Sequence, residues 1–359
     1  MRHLFLLFIF LFITMISNAQ NNEWPSPEVA QMYMQAKEYQ SKGAHQESIS
    51  ILQKAIQLAP QVTVLRQDLA NSYNRVGNYT AAYQTIQPLL KEAVIEENTY
   101  YISGMALQGM GEKKKAKSIF EKGIKNFPYS GMLYNSLGHY YQNFNDPEFA
   151  LSSWLSGIEN HPTYALNYYD ASKLYATTNQ PFWAIIYGEQ YLQLISSTTQ
   201  NDEIRRMLFS AYAKLYNNFF TASANNTQKT NPSKIDFENA ALAILKQLTP
   251  VVADGTTTDN LTMLRTRFVM EWMDKYAAVY PFSLFSYQDQ LLRDGQFEAY
   301  NQWLFGKTEN EALYHSWTTF NPDAMPSLNA WMKKNKYNPS AAEFYHSKNV
   351  KSLFNNSKR

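Results

Sequence analysis

The chain has 359 residues, 45% of them apolar and 15% aromatic, enough hydrophobic material to bury a sizeable core and too much for a disordered polymer. Lys plus Arg is 32 against 30 for Asp plus Glu, so the chain lacks the basic excess that holds nucleic acid through counterion release. Cysteine is absent, which excludes a disulfide framework, thiolate chemistry and Cys-ligated zinc.

In chain order the first element is MRHLFLLFIFLFITMISNAQ. It has a basic start at Arg2, an apolar run from Leu4 to Ile13 extended by Met15 and Ile16, and small residues at Ser17 and Ala19. These are the parts of a secretory signal peptide, with cleavage expected after Ala19. Residues 1–19 are therefore read as the signal and 20–28 as the N-terminal segment of the mature chain. The run is shorter than the roughly 20 residues of a membrane helix and no second one follows, so no integral span is expected in the mature chain. No cysteine follows it that would carry a lipid anchor.

From Val29 a pattern recurs every 34 residues. With Val29 as position 1, position 8 reads Ala36, Ala70, Gly104, Gly138 and Ser172, and position 20 reads Ser48, Ala82, Ala116, Ala150 and Ala184, all small. Position 11 is aromatic in four of five units, and position 15 reads Gly43, Gly77, Gly111, Asn145 and Asn179. Gly and Asn tolerate the left-handed backbone that ends a helix, so position 15 marks a turn between two helices. Proline stands at position 32 in Pro60, Pro128 and Pro162, where it stops the second helix for want of a backbone donor. Small residues at positions 8 and 20 let two antiparallel helices approach until an aromatic fills the gap.

Five such units, 29–62, 63–96, 97–130, 131–164 and 165–198, succeed one another without insertion or deletion. The pattern resembles the tetratricopeptide repeat, a helix-turn-helix unit with small residues at positions 8, 20 and 27 and aromatics at 11 and 24. The resemblance implies an all-α fold, a right-handed α-solenoid of antiparallel hairpins with a concave inner face. In the fifth unit Gly188 and Tyr191 exchange size at positions 24 and 27, which predicts altered packing where the array meets the C-terminal region.

In this family positions 2, 5, 6, 9, 12 and 13 line the inner face. The resemblance thus gives a partner-binding groove of Tyr33, Gln67, Tyr101, Asn135 and Tyr169 at position 5 and Lys37, Asn71, Met105, His139 and Lys173 at position 9. Asn74, Arg75, Gln108, Gln142 and Asn143 add to it from positions 12 and 13. The lysine clamp by which chaperone-binding members hold a terminal carboxylate is not matched, since position 5 holds no lysine. What remains is a neutral lining suited to an extended peptide backbone or a sugar.

After Gln200 the period fades and the helical pattern continues. Ile204, Met207, Leu208, Tyr212, Leu215, Tyr216 and Phe219 outline a long amphipathic helix, Thr221 to Lys234 reads as a polar loop, and helices are expected at about 236–248, 258–279 and 283–292. In GQFEAYNQWLFG, Gly295, Phe297 and Leu304 echo positions 15, 17 and 24, with Tyr300 in place of the small residue at 20. Residues 199–359 read as a helical C-terminal domain of degenerate repeats that continues or caps the array. From Asn321 onward seven Lys or Arg face only Asp323 and Glu343, a candidate contact for an anionic surface.

No two of the six histidines stand at a metal-binding i, i+4 spacing, and no GxSxG, HExxH or phosphate-cradling loop is present. No catalytic residue, metal or cofactor is expected. The reading is a non-catalytic exported scaffold that binds an extended segment of an envelope protein. The alternative is a cell-wall or carbohydrate-associated factor acting through the aromatic-rich C-terminal half. The signal ending in SNAQ, the Asn and Gln content and the missing cysteine resemble exported proteins of Gram-negative Bacteroidota, which implies the periplasm.

Overall fold

The computed structural model describes residues 24–195, 199–223, 235–347 and 350–355, and among them every regular element is a helix. The proposed signal and its cleavage point lie outside the described residues, as does most of the polar loop. The described residues fall into two compact units divided between Lys91 and Glu92.

The first unit holds α1 (Pro27–Ser41), α2 (His45–Leu58), α3 (Thr63–Arg75) and α4 (Tyr79–Ile86). Ser26 caps α1 by accepting from the Val29 amide, and Pro27 occupies the first turn, where its missing donor costs nothing. Gly43 and Gly77 turn the chain between the helices of each hairpin with φ of +74° and +77°. Ala36, Ala70 and Ala82 are wholly buried with Leu52, Ala55 and Leu65. α4 is short. Pro88 cannot continue its hydrogen-bond ladder, and the chain passes into a 3-10 helix at Gln87–Lys91. The unit ends there, inside the stretch 29–198 that the period marks as one array.

The second unit begins with three hairpins: α5 (Glu97–Gly109) with α6 (Lys113–Asn126), α7 (Gly131–Asn143) with α8 (Pro147–Asn160), and α9 (Ala165–Thr177) with α10 (Pro181–Leu194). Gly111 and Asn145 make the first two turns at φ +77° and +57°. Asn179 does not share this geometry, for Asn145 is the only non-glycine residue at positive φ among those described. α9 ends instead in an extended Thr178, whose hydroxyl donates to the Tyr175 carbonyl and accepts from the Gln180 amide.

The small residues do what their spacing predicts. A Cβ on Gly104 would meet the Phe120 ring, and one on Gly138 would meet the Trp154 indole, so position 8 receives the aromatic at position 24. Ala116, Ala150 and Ala184 are wholly buried. In the last hairpin the exchange of size redirects the contact. Gly188 faces not α9 but Met207, Leu208 and Ile204 of α11 (Thr199–Ser223).

α10 explains the rest of the unit. Its residues from Pro181 to Leu192 are all buried, as a helix apolar on every side must be. α9 covers one side and α11 another. α12 (Phe237–Gln247), α13 (Thr258–Lys275) and α14 (Ser283–Arg293) come next and share one continuous core with α8 to α11. After them stand α15 (Phe297–Asn301), a π-helical turn at Gln302–Gly306, α16 (Lys307–Glu309), α17 (Glu311–Phe320) and α18 (Ala324–Lys334). Gly295 turns α14 into α15 at φ +68°, as the repeat echo predicts. The chain then returns to α10, where Tyr337 donates to Gln190 at 2.8 Å and the Tyr345 carbonyl accepts from Tyr187 at 2.8 Å. α19 (Val350–Asn355) packs on α8.

Candidate functional site

The face expected to meet a partner is carried by the first helix of each hairpin. In the second unit α7 touches both α5 and α9, so these helices run side by side. Polar side chains link α7 to α9. Asp170 on α9 accepts from Asn135 Nδ2 at 2.7 Å and lies 3.0 Å from His139 Nε2. His139 also meets Gln142 at 3.4 Å and lies edge-on to Trp154, with ring centroids 5.6 Å apart. The hydrogen bond with Asp170 raises the His139 pKa above the usual imidazole value, against the pull of burial.

The next link joins α9 to α11. Lys173 lies 2.7 Å from Glu203, while Tyr169 donates to Glu203 at 2.6 Å and accepts from Lys173 at 3.1 Å. The Lys173 hydrogen bond, followed by that of Tyr169, lowers the Glu203 pKa. In the first unit the equivalent link ties α1 to α3. Lys37 lies 3.2 Å from Asp68, and Gln40 donates to Ser72 at 2.9 Å and to the Asp68 carbonyl at 3.3 Å. Tyr33 packs against Trp24 with centroids 4.6 Å apart, and burial, then Asp68, pushes its pKa up to about 12.

The three links share one rule: a basic residue at position 9 meets a carboxylate on the following first helix. Asp68 stands 31 residues beyond Lys37, Asp170 the same distance beyond His139, and Glu203 one residue closer to Lys173. The inner-face positions of the repeat name the basic partners and, at position 6, Asp68 and Asp170, while Glu203 lies beyond the fifth unit. The signal that pairs them is the near-constant offset, one repeat less three residues.

The remaining expected residues divide by depth. Gln67 and Asn135 are only 3% and 6% exposed, so their amides serve the packing between helices. Asn71, Asn74, Tyr101, Met105 and Gln108 are half-buried, and Arg75, Gln142 and Asn143 are exposed. The Gln108 carbonyl oxygen is buried with no hydrogen-bond partner among the described residues.

A second polar cluster, invisible to the repeat pattern, lies inside the core. Glu189 of α10 accepts from Gln288 at 2.7 Å, from Tyr300 at 2.8 Å and from Arg265, whose other arm donates to Asn301 at 2.6 Å. Tyr300 also accepts from Gln193 at 2.7 Å, so the large residue in the repeat echo is the one that reaches α10. Glu189 and Arg265 are 1% and 2% exposed. The adjoining cavity of about 20 Å³ has room for one water and no substrate, so the cluster is a structural network. Its sequence signal is the lone carboxylate in FWAIIYGEQYLQL.

Most of the aromatic wealth of the C-terminal half is core. Trp183, Trp272, Tyr216, Tyr300 and Phe305 are fully buried, and Phe237 stacks on Tyr345 with centroids 4.1 Å apart. Among the described residues no helix is long and apolar enough to cross a membrane.

Residues 32–62 and 97–129 match the family model described as tetratricopeptide repeat. No curated protein matches the chain. Solved structures similar to it include a thermophilic tetratricopeptide-repeat protein of Thermus thermophilus, at 15% identity over 51% of this chain and 98% of that one, with a TM-score of 0.43. The C-terminal part of a tetratricopeptide-repeat-containing protein from Cytophaga hutchinsonii is 13% identical over 69% and 90%, with a TM-score of 0.41. YrrB, described as having an unusual peptide-binding site, is 16% identical over 52% and 94%, with a TM-score of 0.34. The two matched segments, one in each unit, are tetratricopeptide repeats, built as helix hairpins closed by small residues at the expected positions.

Proposed function

We propose that the chain is a non-catalytic exported scaffold of the periplasm, with five repeat units over 29–198, whose first-helix face binds an extended segment of an envelope protein. The observation that carries this reading is the polar face of α5, α7 and α9, linked from α7 to α9 and from α9 to α11. Its charged groups are spent on one another, and the side chains left facing outward, Gln142 and Asn143 beside half-buried Tyr101 and Gln108, are neutral donors and acceptors. Such groups pair with a peptide backbone. The C-terminal region would serve to cover α10.

Truncation after Gln200 cannot test this, because it strips α11 and later elements from a helix buried along its length. A photo-crosslinking residue at Gln142, with Lys125 on α6 as the control, leaves the fold whole. The expected result is an adduct from position 142 alone, in cells, whose digestion yields one contiguous partner segment. No adduct, or equal adducts from both positions, would rule the face out as the binding surface. Sequencing the mature N-terminus tests export: any start other than Gln20 contradicts the assigned cleavage.

A further inference from the structure

Beyond the end of α10 a cleft of about 560 Å³ opens between α10, α11, α14 and α18, within the roughly 300–1,000 Å³ of small-molecule sites. One part of its wall is apolar, formed by Leu192, Tyr287, Met332 and Trp303. Three cations, Arg205, Lys333 and Lys336, line the same cleft, and among the described residues no carboxylate does.

The three cations differ in kind. Arg205 is fixed, its guanidinium 4.6 Å from the Trp303 ring centroid and its Nη1 3.0 Å from Asp202, which lies outside this cleft. Its Nε is buried with no hydrogen-bond partner among the described residues. Lys333 and Lys336 are exposed, and no ion pair holds either among the described residues. On the other side of the Arg205–Trp303 stack a second cavity of about 480 Å³ includes Asp202 and Lys307, the latter 3.3 Å from Glu311. Its charges are partly answered, and those of the first cleft are not.

We propose that this cleft binds a small organic anion, a carboxylate or phosphate group borne on an apolar or aromatic body. The acid group meets the lysines at the rim and the edge of Arg205, where charge-assisted hydrogen bonds form. The body lies against Trp303, Tyr287 and Met332, displacing water from apolar surface. A bare inorganic ion leaves that wall unused, and a neutral aromatic leaves the cations unanswered. This site is separate from the first-helix face and stands without it.

The test is calorimetric titration of the full chain with 2-naphthoate, 2-naphthyl phosphate, naphthalene-2-carboxamide and inorganic phosphate. Either naphthyl acid should bind, the tighter one identifying the acid group, with the carboxamide and inorganic phosphate each at least tenfold weaker. Substituting Lys333→Gln together with Lys336→Gln should weaken the acid roughly tenfold at an unchanged melting temperature, since both side chains are exposed. Binding should also weaken as salt rises. The proposal is overturned if the carboxamide binds as tightly as the acid, if inorganic phosphate matches it, if the double variant binds unchanged, or if neither acid binds up to its solubility.

Discussion

Gly138→Ala isolates the contact on which a hairpin closes. The added Cβ would sit 2.5 Å from Trp154 Cδ1 and 2.6 Å from Cε2, whereas carbon atoms at rest lie about 3.5–4.0 Å apart. The indole must therefore retreat by about 1 Å. It has little room to do so, because Trp154 is wholly buried and its Nε1 donates to the Asn135 carbonyl at 3.2 Å. Overpacking of this kind costs about 1–3 kcal/mol, and a weakened buried hydrogen bond adds about 1 kcal/mol. Opposing both, alanine is about 1 kcal/mol better than glycine inside a helix. The collision wins, leaving a net loss of about 1–3 kcal/mol and a melting temperature lower by roughly 3–10 °C. Thermal melts followed by circular dichroism read this directly. Adding Trp154→Phe should return part of the loss, and the non-additivity measures the contact. A melting temperature that stays level or rises would mean that helix propensity outweighs packing, and the account of position 8 as an enforced close approach would be wrong.

Arg265→Leu should be costlier. It leaves the Glu189 carboxylate, 1% exposed, among neutral partners, and stranding a buried charge costs about 3–5 kcal/mol. Urea unfolding should show that loss, and Glu189→Leu added to it should recover most of it; an additive double variant would refute the pairing. The His139–Asp170 link predicts a pH dependence with a definite sign. Because the folded-state pKa is raised above the ordinary 6.5, the link stabilises fully below that value and fades as pH rises through the folded-state pKa. The effect is small, since the His139 side chain is 43% exposed. Melting temperatures of wild type and His139→Gln should converge as pH climbs above the ordinary value, and parallel curves would show that the imidazole carries no charge in the link.

What the sequence discloses about this fold depends on what a period can encode. Positions 8, 15 and 20 act within one hairpin, so Gly77, Ala82 and Gly138 announce their roles by phase alone. Proline at position 32 is legible for the same reason, while Pro88, in the middle of a second helix, breaks α4 without disturbing the count. Links between hairpins are harder to see. Lys37, His139 and Lys173 are legible as polar residues of the inner face, as are Asp68 and Asp170 at position 6, but their pairing with the preceding helix shows only when two repeats are compared at an offset. The C-terminal helices declare themselves through apolar spacing, with α13 ending at Lys275 rather than near Val279. Their arrangement around α10 does not, because periodicity says that a face is buried and not against what. Gly188 and Tyr191 mark the place where the ruler changes, and α11 seats on Gly188. Aromatic richness after residue 200 suggests a binding surface in composition alone; burial shows that most of it fills the core.

The two surfaces differ in what they have done with their charges, and this separates them experimentally. Along α5, α7 and α9 the two basic residues, His139 and Lys173, are each answered by a carboxylate on the neighbouring helix, so that an approaching ligand meets amides and a phenol. An interaction of this kind has no net charge to screen and should change little between dilute buffer and high salt. In the cleft beyond α10 two lysines stand without an ion pair among the described residues, beside an arginine whose partner Asp202 lies outside the cleft. Attraction to that group falls as the screening length contracts from about 10 Å at 0.1 M salt to about 3 Å at 1 M. If a partner segment and a small anion both bind this chain, salt should release the anion and leave the segment in place. A segment that leaves with rising salt would be one that reads the lysines, and the neutral face would then be scaffold without a ligand.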